Sequence, residues 1–122
     1  MKRVELEKLP RKTEKPWGFE LLFAYTPRYV GKLIFVRKGH RLSLQYHEKK
    51  DETMYIYKGE ALIEIEDTDG HLISSTAEPG YCIRIPPLTK HRLQAIKDTT
   101  FFEVSTPELN DVVRLEDDYG RA

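Results

Sequence analysis

From Trp17 onward, runs rich in Val, Ile, Leu, Tyr and Phe alternate with polar positions and are broken every few residues by Gly, Pro or Asp. Period-two alternation in short runs bounded by turn residues is the mark of half-buried strands. It places strands over 18–25, 29–38, 42–47, 53–58, 60–67, 71–76, 81–85, 91–97 and 100–106. Asp67-Thr68-Asp69-Gly70 is a hairpin turn, because Asp-Gly takes the positive φ values a tight connection needs. Lys58-Gly59-Glu60 is another. No segment keeps a helical period beyond about two turns, and no repeat is present. So many short strands with turns between them predict an all-β sandwich or barrel.

Alternation also sorts the faces. Leu42, Leu44 and Tyr46 share one side of their strand, and Ser43, Gln45 and His47 the other. A Gln and a His side by side on an inward face suit a metal in a barrel interior better than packing. Glu52 opens the next apolar strand on the face of Met54 and Ile56, and His91 opens another after Pro86-Pro87-Leu88-Thr89. Imidazole, carboxylate and amide oxygen are all ligands of first-row divalent metals. Gln45, His47, Glu52 and His91 are therefore the candidate metal ligands. His40 and His71 sit in turns and are expected to be solvated, as is the charge run Glu48-Lys49-Lys50-Asp51. Lys32 alternates onto the face of Ile34 and Val36, where a lysine needs a partner or a task.

Composition narrows the function. The 122 residues suffice for one domain with one core. Twenty basic residues balance twenty acidic ones, so no global charge favours nucleic acid or a membrane. No apolar run of about 18 residues exists to span a bilayer, and the first residues carry no apolar leader, so a cytoplasmic location is the expectation. The single cysteine, Cys82, lies in the run Tyr81-Cys82-Ile83 and is expected to be a buried core thiol. Residues 1–14 are charged and are expected to be an arm on a body spanning 15–122.

These features resemble the cupin superfamily, and within it the C-terminal domain of type II mannose-6-phosphate isomerases. The first cupin motif is visible as Gly39, His47, Glu52 and Gly59, with Gln45 where most cupins carry their first histidine. The second is Gly80, Pro86 and His91. Lys15-Pro16-Trp17-Gly18, Leu42-Ser43-Leu44-Gln45-Tyr46-His47 and Glu116-Asp117-Asp118-Tyr119-Gly120-Arg121 resemble that isomerase family in particular. Leu88 and Ala95 depart from it, standing where glycine and asparagine are usual. The larger proteins of the family also carry a sugar-nucleotide-forming domain, for which this chain has no Gly-rich loop.

The resemblance implies a double-stranded antiparallel β-barrel (jelly roll) holding one divalent ion, zinc or manganese. It implies aldose–ketose isomerisation of a phosphosugar, mannose 6-phosphate to fructose 6-phosphate. In that chemistry a metal stabilises charge on the carbonyl oxygens and a base moves a proton between C1 and C2. Lys32, Glu103 and Arg41 are the candidates for catalysis. Arg41, Arg92 and Arg121 are candidates for the phosphate, since Arg is its preferred fork. Tyr119 joins them if the C-terminal segment folds back over the barrel mouth, with Gly120 providing the turn. Alternatives are a sugar-binding cupin without turnover and a metal-dependent dioxygenase on His47, Glu52 and His91. A homodimer through edge strands is expected.

Overall fold

The computed structural model describes residues 10–122. Its elements are β1 (Arg11–Lys15), β2 (Gly18–Tyr25), β3 (Val30–Val36), β4 (Leu44–Tyr46), β5 (Glu52–Lys58), β6 (Ala61–Glu66), β7 (Leu72–Ala77), β8 (Cys82–Ile85), β9 (His91–Ala95), β10 (Thr99–Ser105) and β11 (Val113–Glu116). They form a six-stranded sheet, β1-β2-β3-β10-β5-β8, and a five-stranded sheet, β11-β4-β9-β6-β7. Every pairing is antiparallel. Among the described residues there is no helix, and so none long and apolar enough to cross a membrane.

The two sheets face each other across an interior that changes character along its length. At one end Ile34, Val36, Ile56 and Phe101 of the first sheet meet Ala61, Ile63, Leu93 and Ala95 of the second, all nearly inaccessible. Further along the same inward rows the residues turn polar. Lys32 stands opposite Glu103 on β3 and β10, and Gln45 opposite His91 on β4 and β9. The apolar end supplies the burial that holds the sheets together, and the polar end is left to form a site.

The turns behave as their residues require. Asp67 Oδ1 accepts from the N–H groups of Asp69 and His71 at 2.9 Å each, and Gly70 takes φ +84°. Gly59 takes φ +96°, and a Cβ there would lie 2.2 Å from the carbonyl oxygen of Asp98, so no other residue fits. Leu88, where the isomerase family has glycine, adopts φ +63° without being one.

Several sequence expectations need correction. Cys82 is exposed, not buried. On β8 it is Ile83 and Ile85 that turn inward, while Cys82 and Arg84 point out, and an apolar run does not reveal which face is which. His40 is half-buried, its Nδ1 2.7 Å from the Tyr119 hydroxyl. Within the run 48–51, Lys50 is buried to 5% exposure. The charged segment read as an arm packs on the body from Arg11 onward, where Arg11–Lys15 pairs residue for residue with β2, and Val113–Glu116 pairs with β4. Residues 1–9 of the expected arm lie outside the described residues.

Candidate metal centre and cavity

His47, Glu52 and His91 come from the end of β4, the start of β5 and the start of β9. Each is 3% exposed. One donor atom from each lies within 4.8 Å of the others. Glu52 Oε1 is 3.6 Å from His47 Nε2 and 3.3 Å from His91 Nε2. The outer nitrogens fix the tautomers: His47 Nδ1 meets the carbonyl oxygen of Asp111, and His91 Nδ1 that of Thr89 at 2.9 Å. A carbonyl only accepts, so each Nδ1 donates, and in the neutral imidazole each Nε2 presents its lone pair inward. Both Nε2 atoms are buried and have no hydrogen-bond partner. Two buried imidazole lone pairs aimed at a shared point beside a carboxylate fit a divalent ion, and the backbone carbonyls behind them are the outer support such ligands usually have. Gln45 stands in register with His91, its Oε1 accepting from Ser43 Oγ at 2.7 Å.

A second buried charge group adjoins the trio. Lys50 Nζ lies 3.0 Å from both Glu52 Oε2 and Glu103 Oε2. Burial works to lower the lysine, but Glu103 and Glu52 outweigh it, so its ammonium is held above the ordinary value. Burial pushes Glu103 up to about 7, with the Glu52 charge adding to it and Lys50 and Lys32 opposing it. Glu52 is held well below the ordinary range despite its burial, through His47, His91 and Lys50. His47 is likewise raised against its burial by Glu52. Lys32 is paired with Glu20 at 3.2 Å. Lysines and carboxylates therefore alternate from the trio outward.

These groups open onto a cavity of about 440 Å³. Gln45, His47, Lys50, Glu103 and Lys32 line its inner part. The loop before β11 closes one side: Asp111 accepts from the N–H groups of Glu48, Lys49 and Lys50 at 3.0, 2.7 and 2.9 Å. Three successive amides converging on one carboxylate fix the turn that carries Lys50 inward. Nothing in the sequence around Asp111 signalled this role.

Residues 2–117 match the profile of the family described as mannose-6-phosphate isomerase C-terminal. The chain belongs to that family. The xanthan biosynthesis protein XanB of Xanthomonas campestris is 32% identical over 116 residues, which are 91% of this chain and 24% of that protein. A glucose-6-phosphate isomerase of Thermococcus onnurineus is 34% identical over 87 residues, 67% of this chain and 43% of that one. The chain thus spans from about a quarter to under half the length of these relatives. Among solved structures, KdgF from Halomonas sp. superposes with a TM-score of 0.72 at 20% identity, covering 80% of this chain and 88% of that one. The oxalate decarboxylase of Bacillus subtilis superposes with 0.75 at 16% identity, covering 93% and 33%. The fold is the cupin double-stranded β-barrel, as the family motifs implied.

Within this cupin, the residues singled out from sequence divide into two groups. Gln45, His47, Glu52, His91, Lys32, Glu103 and Arg121 gather at or just behind the cavity. Arg41, Arg92 and Tyr119 do not line it. Arg41 is held by Asp118 through contacts of 2.6 and 2.8 Å. Arg92 alternates away from His91 to the far face of β9, where Leu42 O accepts from its Nε at 3.0 Å and Glu116 O from its Nη2 at 3.1 Å. Tyr119 packs on the core and bonds His40. Cationic side chains not singled out do line the cavity: Arg11, Lys15, Lys50 and Arg114.

The last turn is closed on itself by Asp117. It accepts from Arg121 N, Nε and Nη2 at 2.7 to 2.9 Å, and Gly120 takes φ +70° between them. Hydrogen bonds from Arg121 hold Asp117 down at about 2, below its ordinary 3.8. A carboxylate lowered on folding stabilises above its ordinary value and loses that contribution as pH falls through the folded one. The thermal midpoint should therefore fall between about pH 4 and pH 2. In Asp117→Asn that part of the fall should be smaller, read by melting curves across the range. Identical pH profiles would show that the clamp does not stabilise the fold.

Proposed function

We propose that the chain is a metal-dependent aldose–ketose isomerase of phosphosugars, interconverting mannose 6-phosphate and fructose 6-phosphate. The observation that carries this reading is the convergence of two unpartnered imidazole nitrogens and Glu52 beside the Glu103–Lys50 pair, at the inner end of one cavity. His47 Nε2, Glu52 Oε1 and His91 Nε2 would hold the ion, zinc or manganese, with Gln45 Oε1 as a fourth ligand. Bound there, it supplies Lewis-acid polarisation of the substrate's carbonyl end.

The protein's own groups do the remaining work. Isomerisation moves one proton from C2 to C1 and another between the two oxygens. A carboxylate near 7 can both take a proton and return it around neutrality, which suits Glu103 as the group facing the carbons. Lys50 fixes one of its oxygens and offers positive charge beside the developing negative one. The family description supports mannose 6-phosphate, and the Thermococcus relative's name makes glucose 6-phosphate the comparison.

The test is a coupled assay for fructose 6-phosphate from each hexose phosphate, run on metal-loaded and chelator-treated protein. Turnover that disappears with chelator and returns with added divalent ion is the expected result. Absence of turnover with every phosphosugar in the metal-loaded protein would leave a sugar-binding cupin.

A further inference from the structure

The cavity's two walls each carry a row of cross-strand neighbours that contributes to its lining. In the five-stranded sheet His91, Gln45 and Arg114 are cross-strand neighbours on β9, β4 and β11. In the six-stranded sheet Glu103, Lys32, Leu22 and Arg11 are cross-strand neighbours on β10, β3, β2 and β1. Each row starts at the candidate catalytic groups and ends on an arginine of an edge strand. On β1, Arg11, Thr13 and Lys15 share the cavity-facing side, while Lys12 and Glu14 pair with each other outside at 3.1 Å. Arg121 lies with them along the cavity.

Charge separates the two ends as well. The lining holds six cationic side chains (Arg11, Lys15, Lys32, Lys50, Arg114, Arg121) and three carboxylates (Glu20, Glu103, Asp111); with Arg121 already paired to Asp117 behind it, a cationic excess remains in a chain of net charge zero. The inner lysines are matched by Glu20 and Glu103. Toward β1 and β11, Arg11 and Lys15 make no ion pair among the described residues. Arg114 donates from Nη1 to the carbonyl oxygen of Ala122, but its Nε is buried without a hydrogen-bond partner. A buried guanidinium N–H left unpaired is costly and calls for an acceptor.

We infer that this end of the cavity, between β1 and β11, is a site for a terminal phosphate, held by Arg11, Lys15 and Arg114 with Arg121 beside them. Cations on opposite walls suit a tetrahedral dianion, whereas a carboxylate would be satisfied by one arginine fork. Arg114 lies two strands from His91, roughly 10 Å at ~4.8 Å per strand. That span is comparable to an open-chain hexose phosphate, whose carbonyl end would then reach the trio. Strand β1 thereby belongs to the binding site, and Arg41 and Arg92 do not contact the phosphate. The sugar's identity rests on the isomerase reading; the anion site does not.

The experiment titrates metal-loaded, full-length protein with inorganic phosphate, mannose 6-phosphate, mannose and glucuronate by calorimetry. The panel is wild type, Arg114→Gln, the double variant Arg11→Gln/Lys15→Gln, and Lys97→Gln as a distant control. The double variant changes only edge-strand side chains, so it remains informative should Arg114→Gln fold poorly. The expected result is phosphate binding in wild type and control, weakened roughly tenfold or more in the others. In the isomerase assay, KM for the hexose phosphate should rise by a similar factor with kcat little changed. Phosphate affinity unchanged in both variants would overturn the site, as would equal binding of mannose and mannose 6-phosphate or stronger binding of glucuronate. Phosphate binding that is lost in the variants, in a protein that isomerises no sugar, would uphold the site and reject the isomerase reading.

Discussion

Alanine at His91 or His47 should reduce metal content from about one divalent ion per chain to near zero. Each histidine supplies a neutral imidazole from a different strand, and each is held in the ligating tautomer by a backbone carbonyl. Removing one leaves a single imidazole and a carboxylate with only the weak amide oxygen of Gln45 beside them, too weak a set to hold a catalytic ion against water and buffer. Gln45→Ala should be milder, because its oxygen is shared with Ser43 and three ligands remain; a loss of roughly 10–100-fold in affinity is the scale expected for a supporting group. Wild-type protein should also gain stability from the ion, by about 2.7 kcal/mol at a hundredfold excess over Kd, a gain absent from His91→Ala. Elemental analysis with melting curves in chelator and in metal checks both effects. A wild type that takes up no metal on titration would reduce the trio to a buried ion pair.

The parts of this site that could be read from sequence are those where alternation is decisive. Ser43, Gln45 and His47 are two apart, so one inward residue fixes the others. The inward placement of Lys32 follows from Ile34 and Val36 in the same way. The parts that could not be read lie where the inner face of a strand is itself polar. Arg11, Thr13 and Lys15 face a cavity that wants charge, so β1 has no apolar side and resembles a loop; β11 is masked similarly by Arg114. Lys50 sits between charged neighbours, and only Asp111, 61 residues further along the chain, turns it inward. Arg92 shows the converse error: its neighbour His91 is a site residue, but adjacent residues on a strand face opposite ways. Family resemblance supplied the C-terminal segment as part of the site, and the fold divides it, with Arg121 at the cavity and Tyr119 on the core.

Replacing Lys50 by methionine should have the largest effect on stability of any single change. The ammonium stands 3.0 Å from two carboxylates that are themselves almost inaccessible. Without it, Glu52 and Glu103 face each other with no cation between them. Breaking a buried ion pair by removing one partner costs about 3–5 kcal/mol, because the charge left behind has neither water nor a counter-ion. The metal changes the ledger on one side only. An ion held by Glu52 compensates that carboxylate, so Lys50→Met should destabilise the metal-free protein more than the loaded one. Adding Glu103→Gln removes the second stranded charge and should restore part of the loss. Urea denaturation of the two single variants and the double variant, with and without metal, gives the coupling directly. Coupling between Lys50 and Glu103 near zero would mean that Glu103 is held protonated in the folded protein. The alternating charges would then not act as a connected group, and Glu103 would lose its role as the group that first accepts the proton.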